Sequence, residues 1–171
     1  MKAIFIDRDG VINQEKNYLY KIEDFVFIDG VFDACQAFQK MGFALIIITN
    51  QAGIAKGYYN KGDYNKLTDW VLAQFKTNGI NILDVFYCPH DDRHNCQCRK
   101  PKPGMFLNAQ KKYAIDMAQS WMIGDKENDI TAANCAGVGR SILVRSGHNI
   151  DEKNSQADFI LDSIKQVVTV L

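Results

Sequence analysis

Two aspartates, Asp7 and Asp9, stand one residue apart in the stretch IFIDRDG. A third, Asp125, follows Gly124, and Asp129 lies one helical turn beyond it. Two carboxylates that share a site repel, so one must hold a proton or both must face a cation. Carboxylates drawn from separate segments suit a hard ion that takes oxygen ligands, such as Mg²⁺. Thr49 adds a hydroxyl and Lys100 a fixed positive charge. A divalent ion, a lysine, a hydroxyl and a spare carboxylate together meet the needs of phosphoryl transfer, where catalysis is mostly charge stabilisation and positioning. Singly, each residue has a plainer reading. Asp-Gly is a common turn pair, Asp125 could cap a helix, and Thr49 could bond backbone at a strand end. The chemical reading requires a fold that brings all of them to one edge.

A second cluster lies in YCPHDDRHNCQCRKPKPG, residues 87–104, which holds three of the five cysteines and two of the three histidines. Cys88, His90, Cys96 and Cys98 offer three thiolates and an imidazole, a donor set suited to a closed tetrahedral Zn²⁺ site. Between Pro89 and Cys98 there is no apolar residue other than the cysteines, so packing cannot order the loop. Ordering costs roughly 1–2 kcal/mol per residue, and a structural zinc contributes on the order of 10–16 kcal/mol in small peptide sites. A Cys96–Cys98 disulfide would close a very tight ring, and no C-x-x-C redox pair is present. His94 could replace His90, and free thiols in a polar loop remain the bland alternative. Cys35 and Cys135 fall in helical patterns and are expected to be buried small apolar residues.

The elements that must position these groups follow from apolar runs and their period. Continuous apolar runs predict strands over 2–6, 44–48, 85–87, 121–123, 141–144 and 158–161. Helical spacing predicts helices over 31–41, 64–75, 105–113 and 129–136, with a terminal helix from Ser163. Strands that alternate with helices, and that are apolar on both faces, predict an α/β fold with a doubly wound, mostly parallel, Rossmann-like sheet. In such sheets ligands bind beyond the strand C-termini. Those ends carry Asp7-Arg8-Asp9, Thr49-Asn50-Gln51, Cys88 and Gly124-Asp125-Lys126. The 171 residues read as a single domain over 1–171, with the zinc loop as an insert over about 88–98.

Composition excludes some classes. Twenty basic and twenty acidic residues leave no net charge, so nothing favours nonspecific attraction to nucleic acid or membrane. The start MKAIFIDRDG has too short an apolar run for a signal peptide, and no stretch reaches the length of a membrane span. The expectation is a cytoplasmic protein, expected to be monomeric, in a compartment whose reducing conditions disfavour structural disulfides.

DRDGV at residues 7–11, ITNQ at 48–51, the lysine of RKPKPG and IGDKENDI at 123–130 resemble, in order, the four motifs of the haloacid dehalogenase-like phosphatase superfamily. The resemblance implies that Asp7 is a nucleophile forming an aspartyl-phosphate, and that Asp9 is a general acid and then a general base. It implies that Thr49 holds a phosphoryl oxygen and that Lys100 neutralises charge on the nucleophile and the phosphate. Mg²⁺ would be held by the Asp7 carboxylate, the Asp9 backbone carbonyl and the Asp125 carboxylate, with Asp129 in support. CPH followed by CxCRKPxPGM, together with DRDGV-IN, TNQxGIA+G and GDK, narrows the likeness. These motifs resemble the D-glycero-D-manno-heptose-1,7-bisphosphate 7-phosphatase group, which is similar to the bacterial histidinol-phosphate phosphatases. Both groups lack a large cap domain.

The implied activity is hydrolysis of the 7-phosphate of a heptose 1,7-bisphosphate, in nucleotide-activated heptose biosynthesis. A capless enzyme must recognise the distal part of its substrate with loops. Arg99, whose forked donors suit a second phosphate, is placed there; Lys126, beside Asp125, and Asn50 and Gln51 of the second motif are further substrate-binding candidates, with Asp7, Asp9, Thr49 and Lys100. The segment carrying Glu15, Asn17 and Tyr18 is a further substrate loop by looser resemblance. Histidinol phosphate, with one phosphate and a cationic amine, is the alternative substrate and would favour an acidic pocket. An inactive scaffold or zinc-dependent interaction module is the non-enzyme alternative, against which both Asp7 and Asp9 count.

Overall fold

In a computed structural model describing residues 1–171, six strands form one sheet in the order β3-β2-β1-β4-β5-β6. They are β1 (Ala3–Ile6), β2 (Ala44–Asn50), β3 (Ile82–Cys88), β4 (Trp121–Gly124), β5 (Arg140–Val144) and β6 (Phe159–Leu161), and every pairing is parallel. The helices are α1 (Val31–Lys40), α2 (Lys61–Thr77), α3 (Gly104–Tyr113) and α4 (Glu127–Cys135).

Strand side chains alternate between two cores. Ile4, Ile6, Leu45, Ile47, Ile123 and Ile142 pack with Val31, Cys35 and Phe38 of α1 and with Leu67, Val71 and Phe75 of α2. Ala3, Phe5, Ile46, Ile48 and Met122 pack on the other face with Met105, Phe106 and Ala109 of α3 and with Ala132 and Ala133 of α4. Burial on both faces is why these strands read as unbroken apolar runs. The chain order turns back between β1 and β4, so the ends of those two strands open onto a crevice. The connections from β1 to α1 and from β3 to α3 hold only short 3₁₀ turns at Ile22–Asp24 and Asp92–His94. Neither carries a folded insert that covers the crevice.

Several predicted boundaries shift. α2 begins at Lys61 rather than 64, because Asn60 and Asp63 form a reciprocal cap: Asp63 N–H donates to Asn60 Oδ1 and Asn60 N–H to Asp63 Oδ2. α4 begins at Glu127 rather than 129 for a related reason, since Asp129 Oδ2 accepts from the backbone of Lys126. β3 begins at Ile82 rather than 85. Asp84 interrupts its apolar run but is held by Lys112 at 2.7 Å and Tyr113 at 2.8 Å, where the register against β2 is irregular. The terminal helix is 3₁₀ over Ile164–Thr169, and its buried Ile164 and Val167 recur at the three-residue period of that helix. Cys35 is buried as expected, but Cys135, the last residue of α4, is exposed. It lies on the outer face of its helix, so its expected burial does not hold.

Candidate active site

β1 ends where charge begins. Asp7 N–H still bonds across to Ile123 O at 3.0 Å, so its side chain starts from a fixed backbone at the crevice. Gly10 then turns the chain at φ 91°, where a Cβ would lie 2.2 Å from Asp125 Oδ2. Only glycine lets the first loop pass this close to the end of β4.

Lys100 reaches the same point from the segment before α3. Its Nζ donates to Asp7 Oδ1 at 2.7 Å and to Ile48 O at 2.9 Å, and lies 2.7 Å from Asp129 Oδ1. All three ammonium hydrogens thus have acceptors. Its backbone is clamped to β2: Asn50 Nδ2 donates to Lys100 O and Lys100 N–H to Asn50 Oδ1, both at 3.1 Å. Asn50 therefore lines the cavity with its amide committed to holding Lys100.

Asp7, Asp125 and Asp129 bring carboxylate oxygens within 4.8 Å of one another. All three are buried, Asp125 completely. Burial pushes the Asp7 carboxyl well up; the Lys100 ammonium opposes this, and Asp129 and Asp125 add to it. Burial likewise lifts Asp125 to about 6, with Asp129 adding to the rise. Lys100 is also raised: burial disfavours its charge, but Asp129 and Asp7 outweigh it. One ammonium thus faces three carboxyl groups, and Asp125 Oδ1 is buried with no hydrogen-bond partner. A hard divalent cation fits this donor set. Asp129 is the least free to join it, because Oδ1 pairs with Lys100 and Oδ2 accepts from the backbone N–H of Asp125 at 3.1 Å and Lys126 at 3.0 Å.

Asp9 sits beside this group at the cavity wall. Its Oδ1 accepts from Arg8 Nη2 at 2.7 Å and Asn13 Nδ2 at 3.1 Å, and its Oδ2 from Gln51 Nε2 at 3.1 Å. Gln51 Nε2 also donates to Thr49 Oγ1 at 2.9 Å, while the Tyr59 hydroxyl bonds the Gln51 carbonyl. Gln51 is thus a strut between Asp9, Thr49 and Tyr59. Thr49 is buried and is not among the residues that line the cavity.

The cavity encloses about 210 Å³ and is lined by Asp7, Asp9 and Lys100 together with Glu15, Asn17, Tyr18, Gln51, Arg99, Asp125 and Lys126. Asn17 and Tyr18 adopt positive φ of 32° and 58°, a backbone strain often found at functional loops. Tyr18 packs edge-on against Tyr58 and accepts from Lys56 Nζ at 2.9 Å.

The cysteine cluster lies beyond β3. Cys88 Sγ is 2.9 Å from Cys98 Sγ and 3.6 Å from Cys96 Sγ, and His90 Nδ1 is 3.3 Å from Cys98 Sγ. None of the cysteines is in a disulfide. The His94 ring packs 5.1 Å from that of His90 but its Nδ1 lies 3.0 Å from Asp91 Oδ1, so His90 is the imidazole gathered with the thiols. Burial raises the Cys96 thiol, but the backbone N–H of Arg99 and the neighbouring thiols bring it down to about 6. Three thiols and one imidazole at this spacing fit a closed zinc site. Arg99 leaves the cluster with Nη1 on His90 O at 3.4 Å and Nε on Asp92 Oδ1 at 2.8 Å.

Sequence reasoning missed Arg8 and Asn13, which hold Asp9, and Lys56, Tyr59, Asp92 and His148, which line the cavity. Lys56 was visible as the basic residue after GIA in 53–55. His148 follows β5, and the rule that function gathers beyond strand ends applies there as well.

The family model described as HAD-hyrolase-like matches residues 97–167. The chain is 47% identical to the D-glycero-beta-D-manno-heptose-1,7-bisphosphate 7-phosphatase of Vibrio cholerae, covering 96% of this chain and 93% of that protein. It is 46% identical to the corresponding alpha-anomer phosphatase of Photorhabdus laumondii, covering 92% and 90%. Its fold is similar to that of the D,D-heptose 1,7-bisphosphate phosphatase from B. bronchiseptica complexed with magnesium and phosphate. That match has a TM-score of 0.87 at 27% identity and covers 99% of this chain and 97% of the other. Identity at this level over nearly the whole length, with the four motifs meeting at one crevice, places the chain in the heptose-1,7-bisphosphate 7-phosphatase family of haloacid dehalogenase-like phosphatases.

Proposed function

We propose that this chain hydrolyses the 7-phosphate of D-glycero-D-manno-heptose 1,7-bisphosphate through an aspartyl-phosphate on Asp7. The observation that carries the reading is the Asp7 carboxylate, anchored by Lys100 at 2.7 Å, with Asp9 beside it on the cavity wall. Asp7 attacks phosphorus, forming one P–O bond as the bond to the C7 oxygen breaks. Asp9, held by Arg8, Asn13 and Gln51, gives its proton to the departing alkoxide. It then takes a proton from the water that attacks the aspartyl-phosphate, releasing inorganic phosphate and restoring Asp7. Thr49 would hold a phosphoryl oxygen, and Lys100 neutralises charge on Asp7 and the phosphate. The Asp7 and Asp125 carboxylates and the Asp9 backbone carbonyl would hold Mg²⁺, which would neutralise charge at the phosphoryl group. Asp129 supports the site through Lys100 and the backbone of Asp125.

Cys88, His90, Cys96 and Cys98 would hold Zn²⁺ as a structural clip that fixes Arg99 and Lys100 behind it. The distal phosphate is received by cations on the cavity wall: Arg99, Lys126 and Lys56. Glu15, Asn17 and Tyr18 contact the sugar from the first loop. Thiol ligands require a reducing compartment, and no helix is long and apolar enough to cross a membrane. The thiol ligands favour a cytoplasmic enzyme, which we take to act on a small molecule as a monomer and as one domain. The test is kcat/KM for the α and β heptose bisphosphates beside histidinol phosphate. A preference for either bisphosphate is expected, and a clear preference for histidinol phosphate would overturn the substrate.

A further inference from the structure

The segment after β5 folds back onto the end of β1. Ser146 Oγ donates to Gly10 O at 2.7 Å, and a Cβ on Gly147 would come within 2.1 Å of Asp125 Oδ2. The chain therefore grazes the Asp125 carboxylate before reaching His148. The backbone N–H of His148 donates to Asp125 Oδ2 at 2.9 Å, and its ring Nδ1 lies 2.6 Å from the same oxygen. A carboxylate oxygen accepts, so Nδ1 carries the hydrogen. Asp125 Oδ2 thus receives two hydrogen bonds from one residue, while Oδ1 is buried and receives none. The other ring nitrogen, Nε2, faces Glu15 Oε2 at 3.8 Å on the cavity wall that both residues line.

We propose that His148 is a positioning residue that locks the Asp125 carboxylate with Oδ1 left free for the metal. The inference rests on the assignment of Asp125 to Mg²⁺ made above. A carboxylate with free rotation exchanges its two oxygens; two donors on Oδ2 remove that freedom and leave the other oxygen presented. Lys100 pairs with Asp7 and Asp129 rather than with Asp125, so His148 supplies the hydrogen bonds that hold Oδ2.

The test is calorimetric titration of Mg²⁺ into substrate-free protein whose fold is checked by circular dichroism. His148→Ala is expected to weaken Mg²⁺ binding by about 10- to 100-fold, the usual effect of losing an outer partner of a metal ligand. His148→Asn places an amide N–H where Nδ1 stands and is expected to bind within about threefold of the parent. His148→Leu fills the ring's volume without a donor and replaces the alanine variant if that one does not fold. Parent-like Mg²⁺ affinity in the alanine or leucine variant, or an asparagine variant as weak as alanine, overturns the lock. Asp125→Asn, titrated alongside, separates the two claims: if it too binds Mg²⁺ like the parent, the metal assignment fails rather than the role of His148.

Discussion

Replacing Lys100 with methionine removes the ammonium that pairs with both Asp7 and Asp129 in a site where Lys100 itself is 2% exposed. Breaking a buried pair by deleting one partner costs about 3–5 kcal/mol, because the remaining charge is left uncompensated. At about 2–4 °C per kcal/mol for a chain of this size, we predict a fall in Tm of roughly 6–20 °C in magnesium-free buffer. The structure makes a sharper prediction for the double variant. In Asp129→Asn the amide carbonyl can keep the two backbone N–H bonds of Oδ2, while the NH₂ replaces Oδ1. With Lys100 present, that NH₂ meets an ammonium and the change destabilises. With methionine present, it removes an unpaired buried charge and the change stabilises. Asp129→Asn should therefore reverse sign between the two backgrounds, with a coupling energy of about 2–3 kcal/mol. Urea denaturation of the four proteins measures it. Additivity within about 0.5 kcal/mol would refute the claim that Lys100 balances Asp129 in the folded state.

Asp7→Asn should lower phosphate release at least about 10³-fold with an unchanged circular dichroism spectrum; activity near that of the parent would remove Asp7 as nucleophile. Gly10→Ala sets a Cβ 2.2 Å from Asp125 Oδ2 at a φ of 91°. It is expected to cost about 1–3 kcal/mol in urea denaturation and to weaken Mg²⁺ binding in the same calorimetric titration. Elemental analysis is expected to find about one zinc per chain, and none after Cys96→Ser with Cys98→Ser. In that double variant KM should rise, because Arg99 loses its anchor at His90 O; a metal-free parent that is fully folded would contradict the clip.

The catalytic edge was legible because Asp7, Thr49, Cys88 and Asp125 each end or directly follow an apolar run, and a parallel sheet sends all such ends to one side. The Cys/His loop was legible because soft donors without apolar neighbours have few other uses. His148 was hidden because nothing in ARG-SER-GLY-HIS, residues 145–148, announces a ligand's partner; its role comes from a glycine that lets two loops touch. Arg8 and Asn13 were hidden for a similar reason, as their task is to orient Asp9, which is a matter of distance rather than residue type. Asp84 blurred the start of β3 because a charged residue inside a strand is normally a boundary signal, and the partners that tolerate it, Lys112 and Tyr113, come from α3. Cys135 was misplaced because helical period alone does not say which face of α4 meets the sheet.

The central claim is that Asp7 carries the phosphoryl group. Rapid quenching during turnover of heptose 1,7-bisphosphate, reduction of acyl phosphates with borohydride, and peptide mass mapping test it directly. The account predicts reduction at Asp7 alone, and none in protein incubated without substrate. Reduction at Asp9 or Asp125 instead, or no acyl phosphate at any time during turnover, would contradict it.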